Sequence, residues 1–276
     1  MKIEIGIQKA VNIINGSNGF DVSKYDETFI FKIIEKRVQE TSCGNSKDYC
    51  KLLEEDTEEA IKFLDSLSIC YTEFFRYSLT FSVLEYIILP SLILKKKNEG
   101  KNKEIRIWSA ACAKGQEAYS LAMLLEEYNN NKEEPVNYRI FSTDQNQQQI
   151  KQASKGQYDE LELNSISLKR FKQWFTKRND SYYVKPLLRN HIDFSVFDLF
   201  DKSLSCPQSS IFGDFDIVFC ANLLFYYKKE YQEAILNKLE GCLSEGGYII
   251  TGDTERGILL NRGFKEVYPY SAIFSV

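Results

Sequence analysis

The stretch IRIWSAACAKGQEAYSLAMLL, residues 105–125, reads as a strand, a tight turn and a helix in direct succession. Ile105, Ile107 and Trp108 supply β-branched and aromatic side chains, and Gly115 punctuates the run. Beyond it Ala118, Leu121, Ala122 and Leu125 recur on one helical face. A strand feeding a helix through so short a turn is the repeating unit of an open α/β sheet, whose ligands bind at the carboxyl edge. Downstream, strands are expected at Tyr138–Thr143, His191–Phe197, Phe215–Ala221 and Tyr248–Thr251, in addition to Ile105–Ala110. Helices are expected at Gln116–Tyr128 and Lys229–Leu243, with a turn at Gly246-Gly247. The closing GFKEVYPYSAIFSV (263–276) predicts two strands joined near Pro269 and hence an antiparallel edge.

Upstream the period changes to helical. Phe29, Ile30, Ile33 and Ile34 share a face within Tyr25–Val38; Ala60, Ile61, Leu64 and Leu67 do so within Thr57–Leu67; Phe81–Leu89 is a third apolar helix that Pro90 should end. The polar run KKKNEGKNKE (95–104) reads as a linker. The expected plan is a helical domain over 1–92, a linker over 93–103 and an α/β domain over 104–276. A small β excursion about 171–190 is expected where FTKRNDSYYVKPL (175–187) turns at Asn179-Asp180.

Lys and Arg total 35 against 39 Asp and Glu, a net charge of -4, which argues against a nucleic-acid partner. The N-terminal sequence has no export signal and no stretch reaches the apolar length of a membrane span, so the expected location is cytoplasmic. Seven cysteines with no C-x-x-C pair suit reduced thiols. His191, the one histidine, opens a strand and is expected to be structural; no metal site is expected.

The turn at 110–116 contains neither G-x-G-x-x-G nor a Walker motif, so a ligand without phosphate fits it better than a dinucleotide. S-Adenosylmethionine (AdoMet) is such a ligand. Glu117 can accept from its amino group or can simply favour a helix N-terminus. Asp144, closing the strand YRIFSTD, is placed to accept two ribose hydroxyls. FDIVFCANLLFYY (215–227) leads an apolar strand to Asn222, with Tyr226 about one turn later. Leu223-Leu224 rules out the Pro-Pro signature of amide and adenine methylation there.

Several stretches together resemble the CheR-type protein-glutamate methyltransferases of bacterial chemotaxis from about Leu64 to the C-terminus. They are YTEFFR (71–76), LP (89–90), RIWSAACAKGQEAYSLAM (106–123), FSTD (141–144), ASKGQY (153–158), LLRNHIDF (187–194), FDIVFCANLLFYY (215–227) and GGYIITGDTE (246–255). The resemblance implies a Rossmann-like AdoMet-dependent methyltransferase sheet with an antiparallel C-terminal edge behind a small all-helical domain. It implies AdoMet as methyl donor and S-adenosylhomocysteine as product. By position, Cys70, Thr72 and Arg76 would lie by the methionine part, Glu117 at the amino group, Asp144 at the ribose, Asp198 and Leu199 at the adenine, and Ala221 and Asn222 at the floor. Arg76 and Tyr226 would serve the acceptor glutamate. The implied partner is a chemoreceptor-type protein and the implied state a monomer. Departures from the family pattern are Cys70 for Asn, Ala111 for Gly, Lys114 for a small hydroxyl residue, Ala118 for Pro and Ala221 for Arg. A non-catalytic AdoMet-binding module and a methyltransferase with another acceptor stay open beside the glutamate reading. Residues 1–65 carry nine Lys/Arg against thirteen Asp/Glu, so the basic receptor-facing helix of chemotaxis enzymes is missing.

Overall fold

The computed structural model describes residues 8–15, 21–67, 71–99, 104–130, 132 and 134–276. The chain divides into two compact units, Met1–Ile69 with Leu224–Glu233, and Cys70–Leu223 with Ala234–Val276.

In the first unit, residues 8–15 and the helices Glu27–Glu40, Ser46–Glu55 and Thr57–Leu67 bury their apolar faces against one another. Ile30, Ile34, Tyr49, Cys50, Leu53 and Phe63 form that core. Asp26 and Asn45 cap two of the helices by accepting from backbone N–H groups. A buried ionic cluster pins the bundle: Arg37 donates to both oxygens of Glu59 at 2.8 and 2.6 Å, and the Tyr49 hydroxyl donates to Glu59 Oε1 at 2.8 Å. The Leu224–Glu233 segment joins this unit through a bridge between Tyr25 and Tyr227 and a 2.8 Å bond from the Asp26 N–H to the Tyr226 carbonyl.

The second unit is built on a seven-stranded sheet. Its strands are β1 (Ile105–Ala110), β2 (Tyr138–Asp144), β6 (Ile192–Val196), β7 (Phe215–Phe219), β8 (Leu243–Ile250), β9 (Lys265–Glu266) and β10 (Ile273–Ser275), while β3 (Gln157–Tyr158), β4 (Phe175–Arg178) and β5 (Ser181–Val184) form a separate small sheet. The large sheet has the order β6-β2-β1-β7-β8-β10-β9; its first five strands are parallel and β10 runs antiparallel to both neighbours. Burial on both faces explains why β1, β2 and β7 read as continuous apolar runs. The helix Gln116–Asn129 packs almost wholly buried against the sheet. The small antiparallel sheet is the expected excursion, closed by Asn179 at φ 53.

Four expectations need correction. Pro90 does not end its helix: Ser78–Val83 passes through a π turn at Leu84–Ile88 into Leu89–Glu99. A prolyl ring strikes the carbonyl four residues back, and the wider π turn moves that carbonyl aside. The run 95–104, expected to be a linker, is therefore helical as far as Glu99, and the units divide at Ile69–Cys70. This helix, Ser78–Asn98, is also long and apolar enough to cross a membrane, contrary to the expectation that no segment is; Phe81, Leu84, Ile88, Leu89, Leu92 and Ile93 bury its inner face in the protein core. Gly246-Gly247 is not a turn before β8 but lies inside it, where the pairing with β7 jumps from Phe215↔Leu243 to Ile217↔Tyr248. A Cβ on Gly247 would sit 3.0 Å from the Phe215 carbonyl, so this bulge requires glycine.

Candidate cofactor site

The carboxyl ends of β1, β2, β6, β7 and β8 converge in the second unit, and the side chains of interest follow from them. After β1 the chain enters an irregular turn with Ala111 at φ 58, Ala113 at φ 48 and Gly115 at φ 84. Asp144, at the end of β2, clamps this turn: Oδ2 accepts from the Ala113 N–H at 2.9 Å and Oδ1 from the Asn146 N–H at 2.8 Å. The Cys112 N–H donates to the Thr143 carbonyl at 2.9 Å. Burial raises the Asp144 carboxyl above its ordinary value, opposed by these two N–H donors. A Cβ on Gly115 would come within 2.9 Å of Ala153 and 3.0 Å of Phe194, so glycine is required there by both space and conformation.

Ala111 carries a left-handed backbone conformation at φ 58. A Cβ in that conformation costs about 1 kcal/mol. Ala111→Gly should therefore raise the denaturant midpoint by about 1 kcal/mol equivalent, less what the freer unfolded chain takes back. A fall of more than 1 kcal/mol would mean that the methyl group makes a contact worth more than the strain.

Glu117 stands in the first turn of the helix after this loop, and its Oε1 accepts from the Ser109 hydroxyl at 2.7 Å. Burial pushes its carboxyl up to about 8; the Ser109 bond and the charge of Arg76 pull it down, and the charge of Glu255 raises it further. Lys114 pairs with Glu162 at 2.8 Å, so its charge is neutralised within the chain.

The signature loop Tyr71–Tyr77 brings Arg76. Its guanidinium lies 4.9 Å from the ring centroid of Tyr71 and 5.4 Å from that of Tyr77, and it donates to the Tyr71 carbonyl at 3.1 Å. Phe74 is fully buried and Phe75, at φ 52, donates its N–H to Ser120 Oγ at 3.1 Å, which anchors the loop to the helix that bears Glu117. Thr72 is half-buried in the same loop; Cys70 lies outside the described residues.

Asn222 follows β7 at φ 61, and Ala221 beside it is half-buried. The backbone here is held by Glu255, which is fully buried and accepts from Asn222 N–H at 2.8 Å, Leu223 N–H at 2.8 Å and Gly252 N–H at 2.9 Å. The Tyr77 hydroxyl donates to Asn222 Oδ1. Asp198 and Leu199 follow β6: Asp198 is exposed and accepts from the Phe200 N–H at 2.9 Å, Leu199 is buried, and the adjoining Phe197 N–H donates to the Asp144 carbonyl at 3.1 Å. The structure thus brings Arg76, Glu117, Asp144, Asp198, Leu199 and Asn222 to one edge of one unit. Tyr226 belongs to the other unit, where its ring packs on Phe29 at 4.7 Å. His191 is structural as expected, stacked on Tyr138 at 4.3 Å with Nδ1 3.3 Å from the Tyr138 carbonyl.

Glu255 and Tyr77 are the residues that sequence reasoning missed. GGYIITGDTE carries part of the resemblance, yet a glutamate just past a strand reads as a solvated loop charge. Only its burial and its three donors mark it out.

The donor set suits a ligand with a cationic amine, a diol and no phosphate: half-buried carboxylates at Glu117 and Asp144, and a turn whose Ala113 N–H is already committed to Asp144 rather than open to a phosphate. Gln116 Oε1, next to Glu117, is buried without a partner among the described residues. Fold and site together define the class, a Rossmann-like AdoMet-dependent methyltransferase domain. Two family descriptions match the chain, "CheR methyltransferase, SAM binding domain" over residues 71–268 and "CheR methyltransferase, all-alpha domain" over residues 5–68. The chain belongs to the CheR methyltransferase family, and its cofactor is AdoMet. Among curated relatives, chemotaxis protein methyltransferase 1 of Pseudomonas aeruginosa is 35% identical over 196 residues, covering 70% of this chain and 68% of that one. The chemotaxis protein methyltransferase of Borreliella burgdorferi is 27% identical over 266 residues, covering 95% and 92%. That of Salmonella typhimurium is 25% identical over 252 residues, covering 89% and 82%.

Proposed function

We propose that this chain transfers the methyl group of AdoMet to glutamate side-chain carboxylates of a chemoreceptor-type signalling protein in the cytoplasm. The observation that carries the reading is Glu117, a half-buried carboxylate bonded to Ser109 in a site that otherwise suits a phosphate-free nucleoside. The names of the relatives, chemotaxis protein methyltransferases, support the acceptor class.

In this reading Glu117 receives the ammonium of the cofactor and Asp144 the ribose. Asp198 and Leu199 border the adenine, Ala221 and Asn222 form the floor, and Cys70, Thr72 and Arg76 lie by the methionine part. When bound, AdoMet supplies an electrophilic methyl group on a sulfonium. The acceptor carboxylate is ionised and nucleophilic at neutral pH, so the chain furnishes no general base. Its own contribution is orientation and exclusion of water. Arg76 orients the acceptor with a planar fork that Lys cannot reproduce. The guanidinium is pre-set for this by its two tyrosine neighbours, which limit its rotamers.

The test is incubation of the purified chain with methyl-labelled AdoMet and a candidate receptor. Label should appear on the receptor and be released by mild base, as a glutamyl ester is. Arg76→Ala should lower the rate by about 100-fold, the value of a lost charge-assisted bidentate contact. Label that survives base would sink the glutamate reading. AdoMet binding without transfer to any receptor would favour a non-catalytic module.

A further inference from the structure

Tyr77 ends the signature loop, and its hydroxyl reaches across to the loop after β7, where it donates to Asn222 Oδ1. Space for that hydroxyl exists only because residue 252 is glycine. A Cβ there would lie 2.9 Å from the Tyr77 hydroxyl, 3.1 Å from Glu255 Oε2 and 3.2 Å from Asn222 Oδ1. Gly252 lies in the extended region, at φ -77, so it is the room and not the backbone angle that excludes a side chain. Glu255 fixes the backbone of Asn222 in its left-handed conformation, but leaves its side chain free to turn. The Tyr77 hydroxyl supplies the missing restraint while its ring flanks the Arg76 guanidinium at 5.4 Å. Burial raises the Tyr77 phenol above its ordinary value, so it remains a donor throughout the working pH range.

We propose that Tyr77 is a positioning residue for methyl transfer, holding the Asn222 amide with its hydroxyl and the Arg76 guanidinium with its ring, so that two loops of the cofactor site act as one piece. The proposal rests on the assignment of Arg76 and Asn222 to the AdoMet site. It concerns the cofactor and not the acceptor, so it can be tested without a receptor.

The experiment is a double-mutant cycle on AdoMet affinity, measured by calorimetry on Tyr77→Phe, Asn222→Ala and the double variant. Tyr77→Phe keeps the ring and the melting temperature and should weaken binding about fivefold, the value of one ordered hydrogen bond. The double variant should bind no more than about twofold worse than the weaker single variant, because either change alone disconnects the pair. Single effects that multiply in the double variant would overturn the proposal, as would wild-type affinity in Tyr77→Phe. Gly252→Ala gives a second, independent reading: its methyl displaces the hydroxyl and should weaken binding, and adding Tyr77→Phe should restore part of the loss by clearing that space. A Tyr77→Phe change that weakens Gly252→Ala by its full separate factor would also overturn it. Failure to methylate any receptor, with the cycle non-additive, would reject the glutamate acceptor and leave Tyr77 in its role.

Discussion

Glu117→Gln is expected to weaken AdoMet binding by roughly 100-fold at pH 8, where the native carboxylate is half ionised, and to remove a pH dependence that the native chain shows between pH 6 and 8. The size follows from losing a charge-assisted hydrogen bond in a desolvated site, about 3 kcal/mol. The pH dependence follows from burial, which pushes the carboxyl up to about 8 from an ordinary 4.5. An ammonium ligand selects the ionised form, so below about pH 8 binding expels a proton and affinity should rise with pH, by up to about tenfold per unit. The ligand's own amine titrates near pH 8 as well. The difference between native chain and variant isolates Glu117, because the amine contributes to both. The ligand-free fold is expected to show the opposite slope. Its folded form holds the extra proton between about pH 4.5 and about 8, so stability is lost as pH rises through that window. Calorimetry in two buffers of different ionisation enthalpy, with urea titrations of the ligand-free chain, measures both. An affinity that stays flat from pH 6 to 8 would place the cofactor amine elsewhere.

Glu255→Ala is expected to cost about 4 kcal/mol of folding stability and to lower the melting temperature by roughly 10 °C, since each buried donor left without an acceptor costs about 1–3 kcal/mol. Three backbone donors lose their acceptor at once: Asn222, Leu223 and Gly252. Water can enter the space and recover part of the loss. Glu255→Gln keeps one carbonyl oxygen and should cost about half as much. Thermal unfolding followed by circular dichroism measures both variants; equal melting temperatures for Glu255→Ala and the native chain would show that the loop after β7 is held by something else. AdoMet affinity should fall with Glu255→Ala as well, because the left-handed backbone of Asn222 loses its anchor.

Much of this molecule could be read without coordinates. β1 falls at Ile105–Ala110 as its apolar run predicts, β2 and β6 lie within a residue of their expected ends, and the helix after β1 begins at Gln116. These are local signals: burial on both faces imposes continuous apolar runs on parallel strands, and glycine punctuates the turns. Asp144 and Glu117 were legible because a strand end and a helix start are positions that a linear pattern defines. Pro90 misled, because a proline normally stops a helix and nothing local announces the π turn that lets this one continue. Gly246-Gly247 misled in the same way, since a glycine pair signals a turn unless a neighbouring strand pairs across it.

By itself, then, the sequence determined the α/β class, the antiparallel edge, the phosphate-free character of the turn after β1 and, through its matching stretches, the family. Tertiary structure alone decided that Leu224–Glu233 packs with the N-terminal helices, that Lys114 is neutralised by Glu162, and that Tyr77, Asn222, Gly252 and Glu255 meet in one cluster. The physical reason is range. Periodicity and turn chemistry act over a few neighbouring residues, whereas Tyr77 and Asn222 lie 145 residues apart along the chain and come together only when parallel strands align their carboxyl ends.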